Sequence, residues 1–380
     1  QPKQDPEEAL PPVVVSEICV GRTAEIPAIR IKHVEADAYH EANSTPIPSG
    51  SSLFGQINSI FQVLPQAASS ALVASGNYMN VSISGNLVSA SDGVGFRAFA
   101  MQDGKIVEHA RLFDGGNLST VLNSALAWQI ASTLVAQKHL ADISKKLNTI
   151  KSGINEIKEF LDSQRKSKIL GSLTYMEQAY YAIQNGEREP HMRLRLEQIE
   201  AQLCGIHEHL LLEIESNRNS MMLLDEDAIG TKEYADRINQ KFTSANGSFS
   251  QIILNAKARA ACWQLLLAYP GEQNLKAVRH EAISGSVSQI VESLSKYNRC
   301  ADTKIKTIES CFNFQSTIDA RRNALQAQCD SISTDVNSGK RHIFEQIEQA
   351  TRFANELGET TTISIKVENG TVLEAHKIEA

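Results

Sequence analysis

Residues 140–161 read LADISKKLNTIKSGINEIKEFL, and the spacing of their apolar side chains decides the fold. Leu140, Ile143, Leu147, Ile150, Ile154, Ile157 and Leu161 alternate in steps of three and four without a miss. Apolar groups every 3.5 residues keep one seam of a helix turned toward a neighbouring helix, as knobs-into-holes packing requires. After Leu161 the phase slips, and Ile169, Leu173, Met176, Tyr180 and Ile183 resume it before Asn185-Gly186 and Pro190 end the helix.

Three more stretches share the pattern. Leu196, Ile199, Leu203, Ile206 and Leu210 form one, followed by a turn over 225–231. Ile252, Ala256, Ala260, Trp263 and Leu267 form another, stopped by Tyr269-Pro270-Gly271. A last helix is expected from about 275 to 357, uninterrupted by proline, with Ile290, Leu294, Tyr297 and Ala301, then Ile343, Ile347, Ala350, Ala354 and Leu357 in register. The order long, short, short, long predicts an antiparallel stalk whose outer helices each reach roughly 100 Å or more. An intramolecular bundle and a dimerising coiled coil share this pattern, and four helices in one chain favour the bundle.

Toward both termini the period drops to two. Residues 1–12 read as a flexible arm, and Val13–Val20 and Ile26–Val34 as strands. Residues 36–52 read as loop, and Leu53, Ile57, Ile60, Phe61 and Leu64 recur at helical spacing. From Tyr78 to Phe113, turn dipeptides at Gly85-Asn86, Asp92-Gly93 and Asp103-Gly104 predict a four-stranded antiparallel meander. Thr361–Val367 and Thr371–Ile378 flank Asn369-Gly370, a strong hairpin signal. The expected fold is α+β and predominantly α. An elongated helical stalk spans 114–358, and a small antiparallel β head joins 13–113 to the hairpin of 359–380.

Residues 42–91 contain no Asp, Glu, Lys, Arg or His, in a chain that is 21% charged, and 115–137 are equally neutral. Burial in a core, contact within an oligomer and contact with lipid each remove charge in this way. A long helical body beside an uncharged segment is similar in outline to the α-helical pore-forming toxins. That likeness implies insertion of 50–77 and 115–137 into a membrane, with Leu53, Ile57, Ile60, Phe61 and Leu64 as contact residues. Neither segment is apolar enough for an ordinary spanning helix, because Gln, Asn and Ser interrupt both.

The chemistry-bearing residues are few. No P-loop, dinucleotide fingerprint, HExxH or GxSxG occurs. Glu200, Cys204 and His207 fall at i, i+4 and i+7, a spacing that could gather metal ligands, yet a partly exposed helix face that happens to carry a His and a small Cys explains them better. Asp114-Gly115-Gly116 reads as a loop and helix cap rather than an anion site. Asp92, Arg97, Asp103, Lys105, Glu108 and Arg111 read as a solvated sheet face. The six cysteines form no CxxC, as expected of reduced thiols in a cytoplasmic protein, with a secreted protein as the alternative. A net charge of −7 without a basic stripe argues against a nucleic-acid partner. The expectation is a non-enzymatic interaction or assembly protein, without cofactor, metal or catalytic residues, acting on itself or on a protein partner. A membrane-active effector is the alternative.

Overall fold

The computed structural model describes residues 17–21, 27–34, 44–63, 78–84, 97–102, 105–109, 140, 143–157, 163–185, 187, 189–225, 231–269, 273–310, 313–356, 360–368 and 371–378. The fold is α+β and mainly helical. Its two compact units are residues 1–138 with 183–187 and 353–380, and residues 139–182 with 188–352.

The first unit is built on an antiparallel sheet. Its strands are β1 (Glu17–Gly21), β2 (Pro27–His33), β3 (Ser44–Pro46), β4 (Tyr78–Ser84), β5 (Arg97–Gln102), β6 (Lys105–His109), β7 (Thr360–Glu368) and β8 (Thr371–Ile378). Their order is β3-β8-β7-β4-β2-β1-β5-β6, so N- and C-terminal segments share one sheet. The register aligns Ile31 with Val81 and Val81 with Ile363, and all three are buried together with Met79, Ile83, Ile365 and Val367. Alternation sends hydroxyls to the opposite side, where Ser82 and Thr362 meet at 3.0 Å. Beside β8 lies α1 (Ser52–Val63), with Leu53 and Ile57 buried. Ser51 caps it: its Oγ accepts from the Phe54 amide at 3.2 Å and donates to the Pro48 carbonyl. The outer edge of β8 is partly closed, because the Val372 amide donates to Asn58 Oδ1 and the Ile47 amide to the Ala375 carbonyl.

The topology departs from the expected meander. β4 pairs with β2 and β7, whereas β5 pairs with β1 and β6. Residues 85–96 and 110–113, which held the other expected strands, lie outside the described residues. β3 arises within what reads as loop, by pairing with the end of β8.

The second unit is helical. Its elements are α2 (Ile143–Glu156), α3 (Ser163–Gln184), α4 (Pro190–Met222), α5 (Thr231–Leu267), α6 (Gln273–Lys306) and α7 (Gln315–Glu356). The seam residues Leu140, Ile143, Leu147, Ile150 and Ile154 are buried, Ile157 is half-buried, and Leu161 lies outside the described residues. Two expected long helices are each two helices. The phase slip near Leu161 falls between α2 and α3, and the helix expected over 275–357 breaks at 307–314. At 1.5 Å per residue the longest helix, α7, reaches about 63 Å rather than 100 Å.

Helices α4 and α5 run antiparallel, since Cys262, Arg259 and Asn255 meet Leu196, Glu200 and Leu203 in turn. Helices α4 and α6 run parallel in a constant register. Glu197–Arg279, His207–Gln289 and Arg218–Cys300 each join residues 82 apart, and Leu224–Lys304 residues 80 apart. Helix starts at 190 and 231 recur at 273 and 315, so two successive helical hairpins repeat one layout.

The interior belongs to α5. From Ser248 to Tyr269 every residue is buried except the half-buried Ser250, Leu254 and Lys257. A helix buried on all sides needs neighbours that approach closely, and glycine provides two such approaches. A Cβ at Gly339 of α7 would stand 2.5 Å from Ile253 Cγ2, and one at Gly153 of α2 would stand 2.9 Å from Leu254 Cδ2.

Candidate functional site

Two features of the helical unit stand out chemically: a set of polar groups locked inside it and an apolar group of side chains left outside it. The locked set begins at Arg259 on α5. Its Nε and Nη2 donate to Glu200 Oε1 at 3.0 and 2.9 Å, and its Nη1 donates to Ser286 Oγ at 2.7 Å, tying α4, α5 and α6 together. All three side chains are buried. Burial pushes the Glu200 carboxyl above its usual range, and Arg259 opposes that shift. Nearby, Cys262 donates to the Leu196 carbonyl, and burial holds its thiol far above the ordinary range. Arg165 of α3 reaches Glu213 of α4 with both terminal nitrogens, at 3.0 and 2.6 Å, and donates to Gln251 Oε1 of α5 at 3.1 Å.

Of the three metal-capable residues on α4, Glu200 is committed to Arg259. His207 Nε2 lies 3.3 Å from Gln289 Oε1, and Cys204 is half-buried. The buried ring of His207 is pushed down to about 4, chiefly by burial and then by Arg259, with Gln289 opposing. Among the described residues no group of three or more His, Cys, Asp or Glu side chains could hold a metal ion. Glu200, Arg259 and Ser286 thus face one another inside the unit, while the buried Nδ1 of His207 has no hydrogen-bond partner among the described residues.

His207 gives the unit a pH dependence. The unfolded ring takes its proton near pH 6.5, and the folded one near 4. This contribution to stability is therefore whole above the unfolded value and is lost as pH falls from 6.5 toward 4, by about 3 kcal/mol at most. Glu200, with its raised carboxyl, works in the opposite sense. Comparing thermal melts of the wild type and His207→Gln isolates the histidine: the wild type should lose more stability across that interval. Parallel pH profiles would refute the assignment.

The apolar group lies where the α4–α5 and α6–α7 turns share one end of the bundle. Phe314 is 84% exposed, Leu223 80% and Met222 57%. The described residues on either side of these turns are tied down. Lys304 Nζ donates to the Leu224 carbonyl at 2.8 Å, Arg237 to the Asp225 carbonyl, and Arg322 to the Lys306 carbonyl. Asn313 and Arg321 both donate to Thr231 Oγ1, and the Tyr234 and Thr307 hydroxyls meet at 3.0 Å. Leu223 and Phe314 thus face water beside helix ends whose other apolar side chains, Met221, Ile305 and Ile308, are buried.

Of the contact candidates in the uncharged run, Leu53 and Ile57 are buried within the first unit, on one side of α1. Ile60 and Phe61 belong to the same helix, and Leu64 lies outside the described residues. All of 64–77 and of 110–139 are likewise outside them, including Asp114-Gly115-Gly116. Arg97 falls on β5 and Lys105 and Glu108 on β6, while Asp92, Asp103 and Arg111 lie outside. No described helix is long and apolar enough to cross a membrane. Sequence reasoning missed Arg259, Arg165 and the exposed turn residues. The available signal for Arg259 was its setting among Ala256, Ala258, Ala260 and Ala261, small residues that let neighbouring helices approach closely.

Comparison with protein-family models, curated proteins and solved structures finds no match to this chain.

Proposed function

We propose that this chain is a non-enzymatic interaction and assembly protein: heptad-patterned helices pack against each other in the manner of a coiled coil and present an apolar bundle end to a protein partner or a second copy. The exposure of Leu223 and Phe314 beside cross-bonded helix ends carries this reading. Large apolar side chains exposed at one end of a bundle are a feature of recognition surfaces. The interior supports it, since Arg165, Glu200 and Arg259 are engaged in joining helices. The five described cysteines are free thiols, which suits a reducing, cytoplasmic setting.

Light scattering during size exclusion tests it. The wild type should show concentration-dependent association, and Leu223→Asp with Phe314→Asp should be monomeric with an unchanged melting temperature. A wild type that stays monomeric at all concentrations, and whose variant still captures the same partners, would refute the surface.

The uncharged run of 42–91 favours a second reading, a membrane-active effector in which 50–77 and 115–137 leave the soluble fold. Flotation with liposomes and release of a trapped dye separate the two. Leakage that Phe61→Lys abolishes, without loss of thermal stability, would establish the second.

A further inference from the structure

We propose that a cleft in the helical unit, enclosed by the end of α2, the middle of α5 and the middle of α7, binds an organic cation with an apolar tail. The cleft measures about 530 Å³, a volume suited to a small amphipathic molecule. Its walls are Ile253 and Leu254 of α5 and Ile332 and Val336 of α7. The space is not a sign of slack packing. Gly153, which lines it, brings α2 so close to α5 that a Cβ would strike Leu254.

The charge of the lining selects the ligand. Glu156 and Asp335 are its ionisable side chains among the described residues, both exposed, and no Lys, Arg or His is among them. Gly153 and Glu156 lie in the C-terminal turn of α2, a helix of 14 residues, and Ile157 follows it directly. The last carbonyls of a helix have no amide partners within it, and the helix dipole places its negative end there. Two carboxylates and a helix C-terminus around an apolar hollow repel anions and favour an ammonium group, with the hydrocarbon lying on the aliphatic walls. Asn246 and Ser250, also in the lining, offer hydrogen-bond acceptors beside the cation.

Isothermal titration of the whole chain with decyltrimethylammonium, below its micellar concentration, tests the site against decyl sulfate of the same chain length. The cation should bind saturably at one site and the anion at least about tenfold more weakly. Glu156→Gln with Asp335→Asn, both at exposed positions, should leave the melting temperature unchanged and weaken the cation by about tenfold. Val336→Trp should block binding by filling the hollow. Equal affinity for the two amphiphiles, uptake without a defined stoichiometry, or binding unaffected by either variant would each overturn the proposal.

Discussion

Replacing Arg259 with Met should cost about 3–5 kcal/mol of stability, measured by urea unfolding, although the substitution is between side chains of similar length. The loss arises from Glu200, which would remain buried with no partner for its carboxylate, and from Ser286, which would lose the guanidinium it accepts from. Glu200→Met should cost a similar amount by stranding the guanidinium instead. The double variant should recover much of the loss, because removing both charges removes the desolvation burden with them. If the two single effects simply add in the double variant, Arg259 and Glu200 are not coupled and the account of the locked core fails.

Aspartate at both Ile150 and Ile154 should prevent the helical unit from folding cooperatively. Both side chains are buried in α2, and an unpaired carboxylate at such a position costs roughly 4 kcal/mol or more. Two together approach or exceed the whole stability of an ordinary domain. Aspartate at Asn148 and Ser152, exposed on the same helix, provides the control and should shift the melting temperature by a few degrees at most. Equal behaviour of the two pairs would mean that the three-four spacing does not mark the buried seam.

Both expectations show what the sequence can and cannot report. A helix writes its buried face into its own spacing, so Leu140 to Ile154 could be read directly, and β7–β8 could be read from alternation around Asn369-Gly370. Pairing partners leave no such mark. Nothing in Tyr78–Ser84 says that its neighbour is Thr360–Glu368, because alternation records which side chains share a face and not which strand lies alongside. The break at 307–314 was hidden for a related reason. Ile305 and Ile308 keep the helical period, both are buried, and no proline or glycine punctuates the turn. The direction of the chain there follows from what α7 must pack against. In α5 the difficulty is reversed: Asn255 and Arg259 look like a solvated face until their neighbours on α4 and α6 are in place. Of the candidate cleft, each lining segment is unremarkable alone, and only the junction of three helices makes a hollow.

The place of β4 in the sheet has a consequence for biosynthesis. One flank of β4 is satisfied early, by β2, from residues already made. The other awaits β7, and the Ser82–Thr362 contact spans 280 residues of chain. At 5–20 residues per second the ribosome needs on the order of 15–55 s to deliver that strand. Throughout that interval the nascent half-sheet ends in a bare row of amides and carbonyls. The strand bearing them lies in a segment without a single charge to deter pairing with another chain. Completion of the sheet therefore waits on residues 360–366, and chains terminated before them carry an open, uncharged edge on β4.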